Sequence, residues 1–178
     1  MKINKLYILL LMMGLIFNSC SSAIDGAKYV GEVPNLSLKD YFSGDLKAWG
    51  IVQDRDGNII KRFEVTMNGS WNGPDGVLDE DFIYSDGKKQ KRIWKLKDLG
   101  NGEFEGVADD ILDKATGKSH GNAFYWSYYM DLPVDDTTYR IRFDDWMWLM
   151  NDGVLINRSY MRKWGFVVGE ITIVMQKR

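Results

Sequence analysis

From about residue 45 to the C-terminus, apolar and polar positions alternate with a period of two. Phe63, Val65 and Met67 fall on one face of a segment whose other face is Arg62, Glu64 and Thr66, and Tyr139, Ile141 and Phe143 oppose Arg140 and Arg142 in the same way. The pattern predicts strands near 46–54, 59–68, 77–85, 89–97, 103–112, 118–131, 137–148, 153–162 and 165–176. The dividers are turn-forming clusters: Asp56-Gly57-Asn58, Gly73-Pro74-Asp75-Gly76, Asp86-Gly87, Gly100-Asn101-Gly102, Thr116-Gly117 and Asn151-Asp152-Gly153. No segment of ten or more residues carries an apolar period of 3.6, which argues against a parallel sheet with crossover helices. One short stretch, Leu38 to Phe42, reads as a single helical turn ahead of the first strand.

Short hairpin connections make sequence neighbours antiparallel partners. Closing such a meander removes its exposed edges, and an up-and-down barrel of about eight strands is just wide enough to hold a small ligand. The expected fold is therefore all-β: an antiparallel up-and-down, lipocalin-like barrel of about eight or nine strands with one short N-terminal helical turn, a single domain over 35–178.

The N-terminus follows a different rule. Lys2 and Lys5 precede an apolar run from Leu6 to Phe17, then Asn18 and Ser19, then Cys20, which is the only cysteine of 178 residues. A basic start, an apolar stretch too short to span a bilayer and a small residue before a lone cysteine read as a lipoprotein signal over 1–19, although Phe17 and Asn18 depart from its commonest form. Cys20 would then be the lipidation site, and two or more acyl chains would hold the protein on a membrane. Residues 20–34 read as the lipidated cysteine and a flexible tether. Ser21, standing where sorted lipoproteins retained at the inner membrane carry Asp, favours the periplasmic face of the outer membrane of a diderm bacterium.

Charge removes one class of partner. Without Lys2 and Lys5, 21 basic residues face 25 acidic ones and the net charge is −4. No stretch forms the basic patch that nucleic acid requires. A zinc site lacks ligands, since one histidine and an acylated cysteine fall short of three or four. His120, the sole histidine, could anchor a Ser-His-Asp set only by itself, and no Gly-x-Ser-x-Gly elbow presents a nucleophile. Asp54-Arg55-Asp56-Gly57-Asn58 opens like a calcium loop, but Gly57 falls at its fourth position and Val65 at its twelfth, so it reads as a hairpin turn. Adjacent residues on a strand point to opposite faces, so Asp109-Asp110 and Asp144-Asp145 each offer at most one carboxylate to an interior. No catalytic residue, cofactor or metal is assigned.

A polar set shares strand faces with aromatic residues. Glu80 lies with Phe82 and Tyr84, Arg92 with Trp94, Asn122 with Trp126 and Tyr128, and Asp145 with Phe143 and Met147. If these faces line the barrel, the lumen is apolar with a few convergent polar groups, the usual furnishing of a small-ligand site. Arg92 would then clasp a carboxylate or phosphate, or else close an internal ion pair with Glu80. Register decides between geometries: a two-residue Asp86-Gly87 turn sets Asp81 opposite Arg92, whereas a three-residue turn with a bulge brings Glu80 and Arg92 to one face.

Several of these stretches carry a family resemblance. Phe42-Ser43-Gly44 with Ala48-Trp49-Gly50-Ile51, Leu78-x-Glu80-x-Phe82-x-Tyr84-x-Asp86-Gly87 with Arg92-x-Trp94, Gly121-Asn122-Ala123, Leu132-Pro133-Val134-Asp135, Asp144-Asp145-Trp146-Met147 and Asn157-Arg158 run in order along nearly the whole mature chain. In these the chain resembles a family of small bacterial lipoproteins known only as a domain of unknown function. The resemblance implies a calycin-type barrel and no established activity. It also implies a lean toward lipid handling, through the fatty-acid-modifying methyltransferases of the cyclopropane-synthase kind encoded near family members.

Three functions remain open at this level. A membrane-tethered carrier of a lipid or other amphiphile predicts an open lumen. A calycin-type hydratase or isomerase acting on an apolar substrate predicts a lumenal carboxylate, or His120, with a raised pKa. A scaffold for envelope proteins predicts a filled core and an exposed aromatic patch.

Overall fold

A computed structural model describes residues 24–134 and 136–178. The leader over 1–19 and Cys20 lie outside the described residues. Ten strands follow one another: β1 (Gly44–Asp54), β2 (Ile59–Asn72), β3 (Asp75–Tyr84), β4 (Lys89–Gly100), β5 (Glu103–Val107), β6 (Leu112–His120), β7 (Ala123–Val134), β8 (Thr137–Leu149), β9 (Leu155–Lys163) and β10 (Phe166–Lys177). Each pairs antiparallel with its sequence neighbours, and β10 returns to β1 from Leu46 opposite Lys177 to Asp54 opposite Gly169, closing the barrel. The up-and-down barrel expected from the alternation is present, with one strand more than the upper expectation.

The extra strand comes from two glycines whose roles are exchanged relative to the sequence reading. Gly121 and Asn122, expected inside a strand over 118–131, form a two-residue hairpin turn between the paired His120 and Ala123, with Gly121 at φ +57°. A glycine at the first central position is what a tight turn of matching twist needs. Thr116-Gly117, expected as a turn, lies mid-strand in β6. Gly117 is there because a Cβ would collide with the rings of Trp126 and Phe124, so its missing side chain lets two aromatics pack onto the backbone. The segment expected as a strand over 103–112 breaks after Val107, and Ala108 to Ile111 make the turn instead, the Ile111 N–H donating to Ala108 O at 3.3 Å.

The two ends of the barrel differ. At one end the chain arrives through residues 24–43. Helix α1 (Leu38–Tyr41), the helical turn expected there, is capped by the Ser37 hydroxyl, which accepts from the Asp40 N–H. Leu36, Leu38, Tyr41 and Phe42 are buried and plug this end, each apolar side chain contributing roughly 1.5–3 kcal/mol. Polar bonds pin the plug: the Tyr41 hydroxyl donates to Gly153 O and Met175 O, and Trp71 Nε1 donates to Phe42 O at 3.1 Å. Of the segment 20–34 expected as a flexible tether, residues 20–23 lie outside the described residues, and Gly26 and Tyr29 pack on the outer wall while Val30 and Val33 stay exposed. A 3-10 turn over Gly26–Tyr29 places Tyr29 5.9 Å from the Trp146 ring, and Leu36 N–H reaches Gly121 O. At the other end stand the tips of the β1–β2, β3–β4, β5–β6, β7–β8 and β9–β10 hairpins, with no plug among the described residues.

Candidate functional site

A cavity of about 930 Å³ runs from the plug toward these tips. Leu38, Phe42, Leu78, Leu96, Phe124 and Met175 line its closed part, and Ile60, Lys61, Val134, Lys163 and Val168 its open part. Strand alternation explains the lining, because one face of each strand must point inward.

Of the residues singled out from sequence, Glu80, Phe82 and Tyr84 on β3, Arg92 and Trp94 on β4, Trp126 and Tyr128 on β7, and Asp145 on β8 all line this cavity. Asn122 does not. It sits in the β6–β7 turn at the plugged end, where its carbonyl accepts from Leu149 N–H, so it does not continue the face of Trp126 and Tyr128. His120, at the end of β6, packs on the outside 6.0 Å from the Trp146 ring.

The register question resolves cleanly. Glu80 stands directly opposite Arg92, Phe82 opposite Gln90 and Ile83 opposite Lys89. Ser85, Asp86 and Gly87 make a three-residue connection in which Gly87 N–H donates to Tyr84 O and Tyr84 N–H to Lys88 O, with Gly87 at φ +84°. Glu80 and Arg92 therefore share the lumenal face, yet they are not each other's chief partners. Arg92 grips Asp110 from the β5–β6 turn, Nε at 2.9 and 3.1 Å from the two carboxylate oxygens and a terminal nitrogen at 2.6 Å. That bidentate pair occupies the guanidinium that would otherwise clasp a ligand anion.

Glu80 and Asp145 are left with less. On β3 and β8, five strands apart in either direction round the ring, they stand on opposite walls of the lumen. Glu80 Oε2 and Asp145 Oδ1 are buried without a well-formed hydrogen bond, as is the neighbouring Ser159 Oγ. Burial pushes the Glu80 carboxyl up to about 7, offset in part by the Arg92 charge and a hydrogen bond from Trp94, and reinforced by Asp110. Burial likewise raises Asp145 to about 6, against the pull of Ser159, Arg92 and Tyr128. Burial also drives the Tyr128 hydroxyl well above its ordinary value, with the Asp145 charge adding to it. Aromatic rings pack around this polar belt: Tyr128 stacks on Phe143 at 5.1 Å, and Trp94 meets Tyr128 edge-on at 5.5 Å and Trp126 at 5.8 Å.

Seven polar members of the lining were not singled out from sequence as site residues: Lys61, Gln90, Asp131 and Lys163 and, at the polar belt, Asp110, Asn157 and Ser159. The last two were legible in principle, since Leu155, Asn157, Ser159 and Met161 alternate along β9. Asp110 was hidden because its segment reads as a strand rather than a turn. The acidic pairs divide as strand geometry requires: Asp145 points inward, while Asp144 lies on the outer wall, bridged to Arg142 Nε and Arg162 Nε at 2.9 Å each and accepting from the Tyr125 hydroxyl at 2.6 Å.

No curated protein matches the chain. A family profile does, over residues 14–177, a stretch that takes in the entire barrel, its plug and every lumenal residue named above. The chain therefore belongs to the DUF3833 family, described as a protein of unknown function.

Proposed function

We propose that the protein is a membrane-tethered carrier that holds a lipid or other amphiphile in its barrel. The observation that carries this reading is the cavity itself: about 930 Å³, plugged at one end, apolar and aromatic along its length, with a small convergent polar belt part-way down. A scaffold would have no need of that unfilled volume. Three exposed side chains near the open end, Trp164 at 86 %, Phe166 at 66 % and Ile60 at 58 % exposure, give an apolar approach for such a ligand.

The tether reading supports a definite orientation. Gly26, six residues beyond Cys20, packs against the His120 ring beside the plugged end, and six residues reach at most about 21 Å. Tilted strands of this length put the open end roughly 30 Å away. With Cys20 acylated at the outer membrane, the mouth is on the side of the barrel remote from the anchor and opens to the periplasm.

Residues 24–178 hold every described strand and the plug, so residues 21–178 can be tested as a unit. Secreted to a bacterial periplasm, purified without detergent and weighed by native mass spectrometry, this chain should carry one lipid class in stoichiometric amount. A bare mass that stays bare after incubation with lipid extract contradicts the carrier reading. A second reading is favoured by Glu80, whose value of about 7 suits a general acid or base. Under that reading, added lipid extract would come back chemically altered by the intact chain and unaltered by Glu80→Gln.

A further inference from the structure

The polar belt says which head group the cavity accepts. Arg92 is committed to Asp110, so this ion pair is electrically neutral, and the two remaining lumenal acids of the belt, Glu80 and Asp145, feel that same arginine's charge with no second cation beside them in the belt among the described residues. Asp145 is only 7 % exposed and lines the cavity, and although the Ser159 and Tyr128 hydroxyls are near its carboxyl, its Oδ1 is buried without a formed hydrogen bond. An unpartnered buried carboxylate oxygen is costly, and a ligand that brings a donor removes the cost. A fatty-acid carboxylate entering here meets an occupied guanidinium and two further acids. An alcohol brings one donor for two orphan oxygens. A protonated amine brings up to three N–H donors and a positive charge, and the faces of Trp94, Tyr128 and Phe143 around the belt also attract a cation.

We propose that the carrier's ligand is an amphiphile with a protonated amine head group, held between Glu80 and Asp145 with its apolar body along the lumen. This deepens the carrier reading and rests on it. Two lysines stand near the open end, Lys61 over Tyr84 at 5.8 Å and Lys163 over Tyr139 at 3.3 Å; they keep their charge, so an entering amine meets their repulsion in passing and the attraction of the two acids beyond them. The raised proton affinity of both acids agrees with the assignment: each carboxyl gives up its proton more readily once a cation sits beside it.

Three probes of one chain length separate the head groups: dodecylamine, dodecanol and laurate, each titrated calorimetrically into residues 21–178 at pH 7.5 below its micelle concentration. Dodecylamine should bind at one site at least tenfold more tightly than dodecanol, with laurate weakest. The double variant Glu80→Gln/Asp145→Asn should lose the amine's advantage and keep dodecanol affinity. The ranking in the unaltered chain decides the matter even if that variant folds poorly. Laurate or dodecanol binding as tightly as the amine overturns the head-group assignment and leaves the carrier reading standing. No binding of any of the three overturns both.

Discussion

Asp144 and Asp145 are consecutive on β8 and buried alike, at 8 and 7 % exposure, but their surroundings are opposite. Asp144, on the outer wall, has two arginines and a tyrosine hydroxyl upon it. Asp145, in the lumen, has one oxygen without a formed hydrogen bond, and Glu80 across the cavity shares that condition. Where a buried acid serves only the fold, the chain surrounds it with partners, because an uncompensated charge costs several kcal/mol. The lumenal acids lack that provision, and their partner is best sought outside the chain.

The contrast breaks most visibly by mutation of the paired member. Asp144→Ala takes from Arg142, Arg162 and Tyr125 the carboxylate that they share, and urea unfolding should show a loss of about 3–5 kcal/mol. Asp145→Asn removes a charge that burial disfavours, and at pH 8 the same measurement should show no loss and a gain of up to about 2 kcal/mol. Equal losses in the two variants would mean that Asp145 is structural too. Arg92→Leu should cost about 2–4 kcal/mol, since it leaves Asp110 and Glu80 without their cation, and Arg92→Leu/Asp110→Leu should recover part of that loss.

Acidity sharpens the same comparison. The folded chain holds protons on Glu80 and Asp145 more tightly than the unfolded chain does, with folded values of about 7 and about 6. Between roughly pH 4 and pH 7 the native state therefore binds more protons, so stability from these groups is full on the acid side and is lost as pH rises through 6 to 7. Melting curves from pH 5 to pH 8 should fall by the equivalent of about 2–3 kcal/mol, less than two independent shifts would give because the acids titrate together. Glu80→Gln/Asp145→Asn should flatten that slope. A smaller effect, about 1–2 kcal/mol, is expected for Gly117→Ala, which pushes Trp126 toward the lumen.

Much of this was legible in the chain because a barrel is written in a period of two. The inward face of each strand could be read without knowing its partner, which is why Glu80, Arg92, Trp94, Trp126, Tyr128 and Asp145 fell in one cavity and why Asp144 and Asp145 parted. Pairings that depend on three dimensions were not legible. Glu80 was the natural partner for Arg92 along one hairpin, and nothing local announces that a turn carrying Asp110 folds in from the next hairpin to take its place. Glycines misled for a related reason: Gly117 serves a ring packed on it from β7, a contact with no local signature, whereas Gly121 serves the backbone. The plug was likewise hidden, since Leu36 and Phe42 carry no periodicity over so short a segment.

Carboxyl-carbon NMR of Glu80 and Asp145, titrated with pH in the ligand-free chain and again with saturating dodecylamine, tests the central claim most directly. The account predicts midpoints near 7 and 6 without ligand, both dropping toward the ordinary carboxylate range when the amine is bound. Ordinary midpoints in the free chain, or raised ones that saturating amine leaves unmoved, would contradict it.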